Sequence, residues 1–381
     1  MNTLTILLPC LNEAETLLVC IQKAKSSLKD LGINGEIIVA DNGSTDGSQA
    51  IAVSEGVKVI NVSRIGYGAA IISGINHSSS KYIIMGYADD SYALDDLGRF
   101  VNELENGSDL VMGNRFKGGI SPGAMPFLHR YLGNPILSYL GRLMFKVKIG
   151  DFHCGLRAFK TESIRRLNLR STGMEFASEM VVKASLNGLN ITEVPTTLRP
   201  DGRSRAPHLR TWRDGWRHLI FLFAASPRFL FLYPSFFLFI FGFTGFLLTL
   251  SGPIDLFDFF LDLNSYLFSI GFMIVGLQIF LLSLLARIFS SKFGMLPKTT
   301  TISKFEDWFK LERGIAIGIL FVFCSLLGFT YLLSSWTGDG FDKFTTSESL
   351  RISGVIIFSL LSGIQILFAS FFASILQTDS L

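Results

Sequence analysis

Glu36-Ile37-Ile38-Val39-Ala40 runs directly into Asp41-Asn42-Gly43-Ser44-Thr45-Asp46-Gly47. The first five residues read as a short buried strand. The next seven form a turn whose glycines permit close backbone approach and whose Asp41 can accept hydrogen bonds from a base or ribose. An isolated Asp-x-Gly turn marks only a turn. The same alternation, however, extends in both directions along the chain. Leu4 to Leu8, Val57 to Val62, Tyr82 to Met85 and Leu110 to Met112 read as further buried strands, and Glu13 to Leu31, Ser44 to Ser54, Tyr67 to Ser78 and Asp95 to Glu105 as helices. Strand-helix alternation predicts an α/β fold: a mostly parallel, Rossmann-like sheet with helices on both faces, binding ligands at the carboxyl ends of its strands.

Polar residues gather at those ends. After the first strand comes Pro9-Cys10-Leu11-Asn12-Glu13, with Asn12 placed to cap the next helix. After the fourth comes Tyr87-Ala88-Asp89-Asp90, two adjacent carboxylates of the kind that, with substrate phosphates, hold Mg²⁺. Each motif alone has a local structural explanation. Three of them on successive strand ends point to a site.

Beyond residue 225 the composition changes. Most of the 36 Phe fall there, and four stretches without charge are long enough to cross about 30 Å of hydrocarbon: 229–250, 266–286, 314–336 and 352–377. The second connection carries Arg287, Lys292, Lys298, Lys304, Lys310 and Arg313, the first carries no Lys or Arg, and the third has only Lys343 before Arg351. By the positive-inside rule the second connection and both termini are expected on the cytoplasmic side. Met1 to Ile6 lack a basic region followed by an apolar run, so no cleaved signal peptide is expected. These readings divide the chain into a cytoplasmic domain, 1–225, and a transmembrane domain, 226–381. Residues 208–223 have helical periodicity, with Leu209, Trp212, Trp216, Leu219 and Phe223 on one side and Arg210, Arg213 and Arg217 on another. That pattern predicts a helix lying in the headgroup region. A net charge of +3 is too small and dispersed for a nucleic-acid partner, and Cys10, Cys20, Cys154 and Cys324 have no metal-ligand spacing and read as reduced thiols.

The blocks at 9–13, 41–46 and 88–90, the turn Gly66-Tyr67-Gly68-Ala69-Ala70, and the segments 113–116, 151–157 and 173–180 together resemble the family 2 glycosyltransferases of the GT-A fold. The dolichyl-phosphate glucose and mannose synthases and the bacterial polyprenyl-phosphate glucosyltransferases are the most similar branch. The resemblance implies inverting transfer of one sugar from a nucleotide sugar, UDP-glucose first and GDP-mannose second, to a polyprenyl (undecaprenyl) phosphate at the plasma membrane. It assigns nucleotide binding to Pro9, Asn12, Glu13, Asp41, Asp46 and Ala88, and catalysis to Asp89, Asp90 and Arg115. Asp89 would hold Mg²⁺ or Mn²⁺, and Arg115, Arg130, Arg203 and Arg205 would meet the acceptor phosphate or the diphosphate. Tyr87 departs from the family's Asp-x-Asp, and a phenol titrating near 10 is a poor Mg²⁺ ligand. That departure motivates one alternative, a nucleotide-sugar-binding scaffold without turnover. Another, a processive polysaccharide synthase, ordinarily carries Gln-x-x-Arg-Trp, which Arg210-Thr211-Trp212-Arg213 does not match. The four spans could form a homo-oligomeric platform or shape a lipid path.

Overall fold

The computed structural model describes residues 3–205, 211–256, 259–294, 296, 311–338 and 344–378. The chain divides into two compact units, Met1–Ala224 and Ala225–Leu381.

The first unit is built on seven strands: β1 (Leu4–Cys10), β2 (Gly35–Asp41), β3 (Lys58–Asn61), β4 (Tyr82–Met85), β5 (Leu110–Asn114), β6 (Arg157–Lys160) and β7 (Ile191–Pro195). Their order is β3-β2-β1-β4-β6-β5-β7, parallel throughout except for β6, which runs antiparallel to both β4 and β5. Ile6, Leu7 and Leu8 of β1 are all fully buried, although successive side chains point to opposite faces. Both faces of the sheet are therefore covered, which is why β1 is a continuous apolar run rather than an alternating one. Each such side chain contributes roughly 1.5–3 kcal/mol on burial. The helices are α1 (Leu17–Asp30), α2 (Ser48–Ser54), α3 (Tyr67–His77), α4 (Gly98–Glu105), α5 (Arg115–Gly118), α6 (Asn134–Phe145), α7 (Thr161–Arg166), α8 (Phe176–Leu186) and α9 (Thr211–Ala224).

The strand order reverses direction at β1, with β2 on one side and β4 on the other, and the carboxyl ends of these three strands face one crevice. Two strands carry no sequence signal. β6 is only Arg157-Ala158-Phe159-Lys160, and its arginine is fully buried because Cys154, Ala177 and Phe152 carbonyls accept its N–H groups. β7 is an edge strand, and Pro195 at its end costs the ladder no internal bond.

The second unit holds four helices long and apolar enough to cross a membrane: Arg228–Thr249, Leu263–Lys292, Leu311–Ser335 and Thr346–Gln377. They comprise a π turn at Arg228–Leu232 followed by α10 (Tyr233–Thr249), then α11 (Leu263–Lys292), α12 (Leu311–Gly338) and α13 (Thr346–Gln377). Three of them outrun their uncharged cores because helical hydrogen bonding continues into segments bearing charge, such as Arg287 with Lys292, Glu312 with Arg313, and Glu348 with Arg351. Lys298, Lys304, Lys310 and Lys343 lie outside the described residues. Backbones approach closely at small residues, as in other helix pairs in lipid. A Cβ on Gly318 of α12 would lie 2.9 Å from the Gly363 carbonyl of α13, and one on Gly363 would lie 2.8 Å from the Gly318 carbonyl. At the start of α13, Arg351 pairs with Asp262 at 2.9 Å and its carbonyl accepts from the Tyr266 hydroxyl.

Candidate active site

At the crevice, three loops are tied to one another before any ligand is considered. The Asn12 amide nitrogen donates to Ser44 Oγ at 2.8 Å, and its side-chain oxygen accepts from the Thr45 amide at 2.8 Å. Asn12 therefore does not cap α1, which begins five residues later with Thr16 at its N-cap. With φ at 58° it instead bridges the β1 loop to the β2 turn. Asp46 completes that bridge, accepting from the Ala14 amide and from the Ser48 amide and hydroxyl, while Ser48 Oγ accepts from the Glu13 amide. Thr16 Oγ1 donates to the Ala88 carbonyl at 2.6 Å and brings in the β4 loop.

Asp41 is buried at the end of β2. Burial raises its carboxyl, but hydrogen bonds from Ser44, Gln49 and the Gly43 amide outweigh this and hold it below the ordinary aspartate range. The Gly43 and Ser44 amides and the Gln49 side chain all donate to Oδ2, and Oδ1 has no hydrogen-bond partner among the described residues. A charged carboxylate with one oxygen unspent is an acceptor awaiting a donor.

Glu13 and Asp89 face each other across the crevice, and Arg203 lies between them. Its guanidinium reaches Glu13 Oε1 at 3.2 Å, Asp89 Oδ2 at 3.1 Å and Asp201 Oδ2 at 2.5 Å, and Arg205 reaches Glu13 Oε1 at 2.9 Å. Burial raises the Glu13 carboxyl above its ordinary value despite both arginines, and the charge on Asp89 adds to the rise. Burial lowers Arg203, but its three carboxylates more than compensate and leave it above its ordinary value. The arginine loop is also fastened by backbone: the Gly202 amide donates to the Asp89 carbonyl at 3.0 Å and the Arg199 amide to the Ser91 carbonyl at 2.9 Å. Asp89 Oδ1 is fixed by the Ser91 amide and hydroxyl.

These groups border a cavity of about 230 Å³ lined by Pro9, Glu13, Ala88, Asp89 and Arg203, with Asn42, Tyr67 and Met174 among its other walls. Beside it, sharing Gly66, Tyr67 and Met174, opens a wider cleft of about 740 Å³ whose walls include Glu175, Arg213, Arg217, Ile220 and Phe221. Glycine is required between them: a Cβ on Gly66 would sit 2.2 Å from the Thr172 carbonyl oxygen, and φ there is 138°.

Residues 5–167 match the model of glycosyl transferase family 2, and residues 284–377 match that of the family 2 C-terminal transmembrane region. The low-salt glycan biosynthesis hexosyltransferase Agl6 of Haloferax volcanii is 32% identical over 97% of this chain and 88% of its own. The chain belongs to glycosyl transferase family 2. Also similar, from the same organism, is a dolichyl-phosphate hexose transferase, 28% identical over 42% of this chain and 69% of its own. Among solved structures, glucosyl-3-phosphoglycerate synthase of Mycobacterium tuberculosis is 21% identical with a TM-score of 0.48, covering 58% of this chain and 79% of its own. The protein is thus a membrane glycosyltransferase with a GT-A domain followed by candidate spans.

Within this family 2 glycosyltransferase, several predicted residues stand apart from the cavity. Asp90, with φ at 59°, turns to Lys23 of α1 at 2.6 Å. Arg115 is buried and forms two side-chain bonds to Asp151, both 2.7 Å. Arg130, in a π turn at His129–Gly133, lies 5.5 Å from the ring of its neighbour Tyr131. Tyr87, by contrast, is one of the cavity's walls, and aromatic neighbours hold its ring there. It packs edge-on against Tyr67 and tilted against Tyr92, and burial pushes its phenol above its ordinary value. Gly155 makes room for that ring, since a Cβ there would lie 2.5 Å from it.

Three participants have weak or no sequence signal. Asp151 stands in a segment noted above and meets Arg115 across 36 residues of sequence, whereas Asp201 pairs locally with Arg203, two residues on. The third is a buried chain linking the segment after Asp151 to α9. His153 Nε2 lies 3.1 Å from Ser178 Oγ, which lies 2.8 Å from His218 Nδ1. On α9 itself, Asp214, His218 and Leu222 form the buried face, whereas Trp212 and Trp216 are exposed beside Arg213 and Arg217. The indoles and guanidiniums thus share one side instead of dividing the helix between them. Residues 208–210 of the predicted helix lie outside the described residues.

Proposed function

We propose that this glycosyltransferase moves one sugar, with inversion, from a nucleotide sugar to a polyprenyl phosphate at the cytoplasmic leaflet of the plasma membrane. UDP-glucose is the favoured donor and GDP-mannose the second. The observation that carries this reading is the meeting of Glu13, Asp89 and Arg203 in a cavity that opens beside a cleft walled by Arg213, Arg217, Ile220 and Phe221. A compact cavity bordered by Glu13, Asp89 and Arg203 suits a nucleoside diphosphate, and a cleft that sets guanidiniums beside apolar side chains suits a lipid whose head is a phosphate. A relative that is a dolichyl-phosphate hexose transferase agrees with such an acceptor.

Asp41 Oδ1 would accept from the base or ribose, and the β1 and β2 loops held by Asn12 and Asp46 would set its position. Arg203 and Arg205 would leave Glu13 and Asp89 for the diphosphate, a stronger anion that accepts the same fork of N–H groups. The polyprenyl phosphate is already an anion near neutral pH, so positioning and charge stabilisation can carry the attack without a strong base. No group of three metal-ligating side chains converges among the described residues, but Asp89 Oδ2 already faces a positive charge, and Mg²⁺ needs only one or two carboxylates besides phosphate oxygens. Mg²⁺ or Mn²⁺ held there by Asp89 would neutralise charge gathering on the departing diphosphate.

The test is to incubate purified protein with undecaprenyl phosphate and a panel of radiolabelled nucleotide sugars, then extract the lipid. Label should enter the organic phase with one donor and vanish in Asp89→Ala. Label that stays water-soluble for every donor overturns the proposal and favours a binding scaffold.

A further inference from the structure

α11 carries an amide side chain at a depth where a bilayer offers it nothing to bond. The helix has no charged residue between Asp262 and Arg287, and Gln278 stands nine residues inside Arg287. That spacing is about 13 Å along the axis, close to the middle of the hydrocarbon. Gln278 is exposed, and its amide has no hydrogen-bond partner among the described residues. Ser269 of the same helix is buried instead and donates to the Ser265 carbonyl at 2.7 Å. An amide left against acyl chains forfeits the bonds of its N–H groups and its oxygen, and no water replaces them there.

The residues around Gln278 form one continuous seam. Phe268, Val275, Leu282 and Phe289 recur every seven residues and are all exposed. Gly271 stands one such repeat before Gln278, and a Cβ there would meet no atom within 4 Å. Met273, Gly276 and Ser283 are buried on the other side of the helix. A seven-residue repeat with two positions in each is the pattern by which two helices wrap on one another, and a polar residue at a single such position sets their register. An open glycine in the seam lets the backbones approach closely.

The chemistry of the amide identifies the occupant. Acyl chains carry neither donor nor acceptor, and lipid headgroups lie at a different depth. A second copy inserted in the same orientation presents its own Gln278 at the same depth. A glutamine amide is self-complementary, because its NH₂ donates to the oxygen of another amide while its oxygen accepts in return. No charge in the seam opposes the approach.

We infer that α11 pairs in parallel with α11 of a second copy about a twofold axis, through Phe268, Val275, Gln278, Leu282 and Phe289, with the two Gln278 amides bonded to each other. The pairing is independent of which sugar the enzyme transfers.

The test follows the full chain by sedimentation equilibrium in density-matched micelles over a wide range of protein-to-detergent ratio. The parent should show a monomer–dimer equilibrium, and Gln278→Leu should weaken the dimer about tenfold. Gln278→Asn, which keeps an amide, should weaken it less. In vesicles, with Cys324→Ser as background, Val275→Cys and Leu282→Cys should form disulfide-linked dimers under copper phenanthroline, whereas Phe323→Cys on the exposed face of α12 should not. Parent monomers at every ratio would overturn the inference and leave the seam to lipid. A dimer equally tight with leucine at position 278 would also overturn it. So would cross-linking at position 323 equal to that at 275 and 282, which would place the contact on another face.

Discussion

Arg203 Nη2 lies 3.1 Å from Asp89 Oδ2, an ion pair about nine-tenths buried that fastens the arginine loop to the end of β4. With Glu13 and Asp201 also on the guanidinium, the loop is held over the cavity by carboxylates that a substrate diphosphate would replace. Under the proposed function Arg203 would stabilise the departing diphosphate, and Arg203→Gln is expected to lower kcat/KM by about 10²-fold. Arg203→Lys should recover only part of this, because an ammonium cannot span two acceptors as a fork does. Initial rates of lipid-extractable label against donor concentration measure both.

Arg115 and Asp151 present a different case, since the pair is buried and Asp151 is fully shielded. Asp151→Ala leaves an uncompensated guanidinium in the interior and should destabilise the first unit by about 3–5 kcal/mol. Combining Arg115→Met with Asp151→Leu should restore most of that stability. If Arg115 also serves the acceptor phosphate, transfer remains lost in the double variant. Thermal unfolding in detergent, compared with transfer rates, separates the two roles.

The sheet and the spans were legible because each is written as an uninterrupted local pattern: Leu4 to Leu8, Glu36 to Ala40 and the charge-free runs beyond residue 228. β6 and β7 were not, because a four-residue strand ending in Arg157 and Lys160 owes its place to pairing with β4 and β5. At the site, Glu13, Asp89 and Arg203 were named from motifs, and they do converge. Asn12 looked like a helix cap because Asn before an apolar run usually is one, but the left-handed backbone it adopts lets its side chain serve the β2 turn. Asp151 and His218 find their partners across 36 and 40 residues of sequence, separations at which spacing carries no information.

Tyr87 can be tested by restoring the carboxylate that the family motif would place there. Its ring packs against Tyr67, Tyr92 and Gly155 and forms part of the cavity wall, so Tyr87→Asp exchanges packed aromatic surface for a second carboxylate close to Asp89. The expected cost is about 3–5 kcal/mol, as for other buried aromatic deletions, with no gain in transfer rate. A variant with raised activity and unchanged melting temperature would show that Tyr87 is merely tolerated at a metal-ligand position.

The buried histidines make stability depend on pH in a defined direction. Burial, reinforced by the nearby Arg157, depresses His218 to about 4 from an ordinary 6.5, and His153 is depressed further by burial, His218 and Arg157. Both are neutral in the folded protein, so below pH 6.5 the unfolded chain binds protons that the folded one does not, and stability must fall. For His218 the loss accumulates between its ordinary value and about 4, reaches on the order of 3 kcal/mol, and then levels off once the folded state also protonates. His218→Gln keeps a hydrogen-bonding group near Ser178 without a titrating ring, so its melting temperature should fall less steeply between pH 6.5 and 4.5 than that of the parent. Parallel slopes for the two proteins would show that His218 is not the group responsible.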